Sequence, residues 1–492
     1  MTADTAAGHR VGALDGGPAP RLRRRQYLGY AAGDAANNLT FSLASAFLLI
    51  YYTDVVGIAA ATAGSLFLVI RVWGGVTDLF AGRIADATST RWGRFRPYVL
   101  FGSIPLLLLN VALFTVPSGL SHGAKVLYAY LSYALFSLAY SFVNIPYGSL
   151  SAAMTQAPDE RAKLSTARMV ASSITILLIA VVVSPQIHGA GDLQGTLTII
   201  TLAFGVAGFA LYVCTFLTAR EAVRHEAGKV NLSETLSMMG RNKPLVVLCA
   251  STLLCLSGMF SLQTVGVYYA RDVLNDTNLY IVLTVVQNIG MIVAALVLPK
   301  IMGQLGKKGS YLLGGMTAVA GGVGLTFAPG SQPWIGIVAF GVLGLGFGLT
   351  NTLIFAFQAD TVDYGEWRSG VRAEGSSYAV LSFTRKAGQG VGGAVAAYTI
   401  GLGGYISGSH TQTGAAVTSI RVAAGAVPAG LVLGAVVVML AYPLTEKAFR
   451  AMVAQMAQRR VAETVATLDT ADPVDPDPGD AQGRRADPPA GR

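Results

Sequence analysis

Residues 54–98, DVVGIAAATAGSLFLVIRVWGGVTDLFAGRIADATSTRWGRFRPY, decide how this chain is read. Their middle is an apolar run long enough to cross a bilayer, and it carries Arg71 and Asp78. Seven residues apart, these two share one helix face about two turns from each other. An ionised group at bilayer depth costs at least ~2.5 kcal/mol and persists where it faces a partner or a water-filled path, so this helix belongs to a bundle with a polar interior. Arg91, Arg94 and Arg96 follow at once and place that end of the helix on the cytoplasmic side.

The rest of the chain is of the same kind. Of 492 residues, 53% are hydrophobic and 12% charged, where a soluble protein has about a quarter charged. The composition predicts an all-α polytopic membrane protein whose main partner is the lipid bilayer. The net charge of +9 does not point to nucleic acid, because most Lys and Arg lie in short segments between apolar runs. Cys214, Cys249 and Cys255 fall in apolar runs without CxxC spacing, so neither a disulfide framework nor a metal site is indicated. Residues 1–25 hold no signal-peptide core and end in RLRRR, so the first span is expected to act as its own signal, N-terminus inside.

Residues 1–25 read as a disordered basic arm. Twelve apolar spans of roughly 18–25 residues follow, six in residues 26–218 and six in 244–445, joined by a cytoplasmic loop over 219–243. The connectors expected inside carry Arg161, Lys163, Arg220, Arg224, Lys300, Lys307, Lys308, Arg368 and Arg372. Those expected outside carry few cations, Lys125, Arg271 and Arg421 being the exceptions, so both termini are predicted to be cytoplasmic in a multi-pass plasma-membrane protein. Two six-helix halves are the layout of transporters with a midplane site. The halves echo each other only faintly in letters. Residues 446–492 read as a helical extension followed by a disordered tail.

Nothing indicates an enzyme or a bound cofactor. The five histidines all lie in arms or connectors, and HExxH, GxSxG and GxxxxGK[ST] are absent. What remains is a set of isolated polar groups on different spans. Asp34, Asn37, Asn38 and Ser45 form one stripe, suited to interhelical hydrogen bonds or to lining a cavity. Tyr140, Asn144 and Gly148 share a face, and Pro146 removes a backbone donor beside them. Arg168 and Lys386 are single cations that either serve a site or snorkel to the headgroups. Asp78 is read either as half of a structural ion pair with Arg71 or Lys386, or as a carboxylate that takes a cation in one state and is re-paired in another.

Several motifs occur in order across about residues 27–445: YYTDVVG (51–57), the helix with Arg71 and Asp78, RWGRFRP (91–97), NIPYGSL (144–150), DER (159–161) before Arg168, and ADTVDYGEW (359–367) before Lys386. In this combination the chain resembles the glycoside–pentoside–hexuronide:cation symporters, typified by the melibiose carrier. The resemblance implies the major facilitator fold and import of a sugar or sugar conjugate with sodium, lithium or a proton. It implies that Asp78, Thr77, Ser141 and Ser382 bind the coupling cation, and that Asn38, Tyr140, Asn144, Arg168 and Lys386 line the sugar and cation sites. Asp34, Arg71, Asp363 and Arg372 are assigned to charge pairing and gating. The departures are Gly74 in place of a carboxylate one turn before Asp78, Asn38 and Asn144 in place of sugar-binding aspartates, and Gly148 in place of a tryptophan.

The function expected is cation-coupled symport of a sugar, glycoside or uronide by alternating access. The alternatives are an uncoupled or exporting carrier of another small polar molecule and a non-transporting receptor or scaffold. A sodium cage needs several oxygens and loses a carboxylate at Gly74, whereas Asp78 desolvated in a closed state can take a proton, so proton coupling is favoured. Losing two aspartates while keeping Arg168 and Lys386 favours an acidic sugar or a glycoside with a large aglycone.

Overall fold

The computed structural model describes residues 22–155, 158–189, 192–221, 242–369, 374–407, 409, 411–445, 448–452, 454–456 and 458. Residues 1–21 of the expected basic arm, most of the central loop, the distal tail and Arg372 therefore lie outside the described residues; the arm's last residues are not irregular, since Arg23 caps and Arg24 and Arg25 open the first helix. The described part is helical: α1 (Arg24–Ile50), α2 (Ala60–Ala87), α3 (Arg96–Phe101), α4 (Ser103–Leu113), α5 (His122–Met154), α6 (Pro158–Val183), α7 (Gln186–Gly189), α8 (Leu193–Thr218), α9 (Lys243–Tyr268), α10 (Leu279–Phe327), α11 (Pro333–Ser369), α12 (Glu374–Leu402), α13 (Gly414–Arg421) and α14 (Val427–Leu440). Side-chain caps start several of them. Asp192 accepts from Gly195 N at 2.9 Å ahead of α8, and Asn242 accepts from Leu245 N at 3.1 Å ahead of α9, where Pro244 occupies the first turn.

Among the described residues nine helices are long and apolar enough to cross a membrane. One of these, α10, is two helices, broken where Gly306 adopts φ 67° and ψ 176°, and both pack on the same stretch of α11: a Cβ on Gly290 would fall 2.5 Å from Gly341 O and one on Gly321 2.7 Å from Leu343 N. Two more, α1 and α12, have membrane-crossing length but carry Asp34, and Arg385 with Lys386. The architecture is thus consistent with twelve crossings. The polar helices are the ones at the centre: α1 packs on α9, and α2 lies along α12. Close approach of α2 and α12 depends on glycine. A Cβ on Gly75 would fall 2.7 Å from the Phe383 ring, and one on Gly390 would fall 2.6 Å from Cβ of Arg71.

The apolar core is asymmetric. One cluster of buried side chains runs across both halves at the end where α1 and α9 finish, and includes Phe47, Ile50, Tyr51, Tyr268, Tyr280, Phe340 and Ile400. A second holds side chains of the C-terminal half alone, among them Leu245, Leu298, Tyr311, Phe357 and Met439. The halves are fused by a continuous core at one end and have separate cores toward the other.

A repeat that the letters barely hint at becomes plain in the backbone. Both α1 and α9 end in a five-residue π turn, Tyr51–Val55 (YYTDV) and Tyr269–Val273 (YARDV). Each turn is closed by a backbone bond to its first tyrosine, Val56 N to Tyr51 O and Leu274 N to Tyr269 O, both 3.1 Å. Six residues past each turn's start the chain enters the left-handed region, at Gly57 (φ 79°) and Asn275 (φ 57°). Asp54 and Asp272 occupy equivalent places in the two turns.

Candidate functional site

Two of the intramembrane charges meet where α2 faces α12. Lys386 Nζ forms an ion pair with Asp78 Oδ2 and donates to the backbone oxygen of Gly74 at 3.3 Å. Both side chains are largely enclosed, at 16% and 11% exposure, and the other oxygen of Asp78, Oδ1, is buried with no hydrogen-bond partner among the described residues. Thr77, the residue before Asp78, shares a hydrogen bond of 2.9 Å with Ser141, which ties α2 to α5. Ser382 stands four residues before Lys386 on α12 and makes no hydrogen bond to Asp78 among the described residues.

Arg71 does not pair with Asp78. Its guanidinium donates to Gln389 Oε1 at 3.1 Å and to Ser45 Oγ at 3.2 Å, and lies 4.6 Å from the centre of the Phe41 ring. Phe41 stacks in turn on Tyr140, with centroids 5.5 Å apart. Arg71, Phe41, Tyr140, Phe136, Ser137 and Lys386 line one cavity between the halves, with Gly74 in its wall. Its open volume is about 30 Å³, room for a few waters, so the site is contracted in this conformation.

A second polar cluster lies on α1, α5 and α6. Arg168 Nε meets Asp34 Oδ1 at 2.5 Å, Asn38 donates to Asp34 Oδ2 at 3.1 Å, and Ser42 donates to Asn38 Oδ1 at 2.9 Å. The guanidinium of Arg168 bonds through Nε alone and lies 5.4 Å from the centre of the Tyr147 ring; the side chain is 41% exposed, and its terminal amines have no hydrogen-bond partner among the described residues. Asn144 makes no hydrogen bond among the described residues, and a Cβ on Gly148 would meet nothing within 4 Å, so this face of α5 opens on free space. Asp363 lies three residues beyond Asp360, which pairs with Lys307 at 2.7 Å, on the C-terminal half of the bundle.

The polar clamp at the fused end was not among the residues anticipated from sequence. Arg271 pairs with Asp54 at 2.5 Å across the halves and with Asp272 at 2.9 Å. Tyr405 OH donates to both oxygens of Asp54, at 2.9 and 3.0 Å, and Thr53 shares a bond of 2.9 Å with Tyr268 OH. Read by composition, Arg271 is an exception to a charge rule. Its signal was the doubled motif YYTDV and YYARDV, which places an aspartate at each of two related helix ends.

A bundle of two packed halves, with a buried ion pair and a cavity between them and a polar clamp at one end, is the construction of a membrane carrier. The family comparison agrees: the model for MFS/sugar transport proteins matches residues 29–446. The chain belongs to that family, and it is a carrier rather than an enzyme. It is 40% identical to the glucuronide carrier protein homolog of Escherichia coli (strain K12), over 89% of this chain and 97% of that one. It is 33% identical to the isoprimeverose transporter of Lactiplantibacillus pentosus, over 88% and 91%. Among solved structures the nucleoside transporter NupG superposes with a TM-score of 0.61 at 14% identity, over 87% of this chain and 99% of that one, a likeness of fold.

Proposed function

We propose that this chain takes up an acidic sugar or glycoside across the plasma membrane together with a proton, with both termini in the cytoplasm and the fused end facing outside. The observation that carries the reading is the enclosed Asp78–Lys386 pair beside the cavity, with one carboxylate oxygen left without a partner. Protonating Asp78 cancels its attraction for Lys386 and frees the ammonium, so occupancy by a proton and separation of α2 from α12 become one event. Lys386 occupies Asp78 Oδ2, and Thr77 and Ser141 bond to each other, so a single titratable carboxylate held by one ammonium is the simplest coupling element, which supports a proton over sodium. One cation crossing ~100 mV contributes ~2.3 kcal/mol, enough for roughly fifty-fold accumulation of substrate.

Arg71 and the free amines of Arg168 are the groups suited to a substrate carboxylate, which guanidinium binds through two parallel hydrogen bonds. The relative named as a glucuronide carrier homolog supports a uronide. The Asp34 pairing favours a second reading for Arg168, that of a gate residue that leaves recognition to Arg71. Proteoliposome uptake tests both parts. An aryl glucuronide should be taken up in response to a pH gradient at fixed sodium and should outcompete its neutral glucoside. Uptake that follows a sodium gradient and ignores pH would overturn proton coupling, and equal potency of the two glycosides would overturn the acidic substrate.

A further inference from the structure

Away from the transport path, the start of α1 and the end of α8 enclose a cavity of about 260 Å³ lined by Arg23, Arg25, Gln26, Leu217, Thr218 and Arg220. Three of its walls are arginines, and none of the three has an ion pair among the described residues. The two nearby acids are engaged elsewhere. Glu221 accepts from the backbone N–H groups of Arg94, Phe95 and Arg96 at 2.7–3.0 Å, capping α3. Glu160 accepts from Leu22 N at 3.1 Å, from the Tyr27 hydroxyl and from Lys163. The first turn of α1 holds no acidic residue, and Arg24 and Arg25 stand at its start, where the helix dipole repels cations. Among the described residues this corner has an excess of positive charge that no acidic side chain pairs with.

The cavity has a floor and an apolar flank. Thr218 donates to Cys214 O at 2.7 Å, and a Cβ on Gly29 would fall 1.6 Å from Thr218 Oγ1, so α1 and α8 touch directly beneath it. Leu28 and Leu217, 71% and 65% exposed, extend from the cavity along the outer surface of the same two helices. Arginines over a closed floor, with bare leucines leading away from them, match a molecule that is anionic at one end and aliphatic at the other.

We propose that this cavity binds the phosphate headgroup of an anionic phospholipid, whose acyl chains lie over Leu28 and Leu217. The site is independent of the substrate reading; only its assignment to the cytoplasmic leaflet follows from the orientation proposed above. Headgroup contact there staples the first helix of the N-terminal half to the last.

The test is lipid retention by the full-length protein in detergent, read by native mass spectrometry during titration with phosphatidylglycerol, phosphatidylcholine and inorganic phosphate. Phosphatidylglycerol should bind in preference to phosphatidylcholine. Arg25→Gln and Arg220→Gln should each weaken it about fivefold, as expected for one cation at a membrane surface. Arg24→Gln removes the same charge from the same turn but does not line the cavity, and should leave binding unchanged. If Arg25→Gln fails to fold, Arg220→Gln on the other helix carries the same expectation. Equal binding of the two lipids, or equal loss in Arg24→Gln and Arg25→Gln, overturns the proposal. Inorganic phosphate displacing the lipid at equal concentration would make this a soluble-anion site and overturn the lipid assignment.

Discussion

Neutralising one member of the Asp78–Lys386 pair should be far more harmful than neutralising both. At 11% and 16% exposure, each charge is taken out of water and held by the other, and Asp78 Oδ1 already lacks a hydrogen bond. Asp78→Asn leaves an ammonium enclosed without its counter-charge, and Lys386→Gln leaves a carboxylate in the same position. Breaking an enclosed pair in this way costs about 3–5 kcal/mol, whereas removing both charges together is close to neutral. At about 1 °C per kcal/mol for a chain of 492 residues, each single variant should lower the midpoint of thermal unfolding by roughly 3–5 °C. The double variant should recover most of that loss. Unfolding can be followed by a fluorogenic thiol probe, because Cys249 and Cys255 are buried, with exposed Cys214 replaced by Ser to remove the background. A double variant whose loss equals the sum of the singles would refute the pairing, since independent sites add and coupled ones do not. Transport should separate from stability: the double variant folds but loses its response to pH.

Arg271→Gln removes the cation shared by Asp54, Asp272 and Tyr405, so the fused end should open more often. A membrane-impermeant thiol reagent should then modify Ala44→Cys in a cysteine-free background several-fold faster from that side. Glu160 is held down to about 2, first by the Lys163 ammonium hydrogen-bonded to it and then by the Tyr27 hydroxyl. A depressed carboxyl contributes stability above its ordinary value of about 4.5 and loses it as pH falls toward 2, so Glu160→Gln should flatten the pH dependence of unfolding across that window alone. Gly148→Trp should leave the unfolding midpoint within about 2 °C of the parent, because the space beside Gly148 is open, while reducing uptake of glycosides with bulky aglycones more than that of small ones.

Much of the fold was legible because a bilayer allows few solutions. Apolar length and low charge are enough to give an all-helical membrane bundle, and α1 and α12 stood out by their polar residues. Which of the two candidate cations, Arg71 or Lys386, pairs with Asp78 was not legible. Seven-residue spacing places Arg71 two turns away on the same helix, but Lys386 can reach Asp78 because Gly75 and Gly390 let α12 approach α2 closely. Nor could Arg71 be assigned to a cavity wall, since Gln389, Ser45 and the Phe41 ring that hold it come from two other helices. The sequence left Arg168 between serving a site and snorkelling to the headgroups, and its pairing with Asp34 follows from the approach of α1 to α6. The π turns were missed for a different reason. They widen a helix without changing its apolar period, so hydropathy does not register them.

The undivided apolar core at the end where α1 and α9 finish ties the resting conformation to temperature. An apolar seam is held by the hydrophobic effect, which weakens on cooling. Among the described residues the opposite end has separate cores and no comparable shared seam in this state. Chilling therefore loosens one gate of the carrier more than the other, and the share of molecules resting in this conformation should fall as the membrane cools.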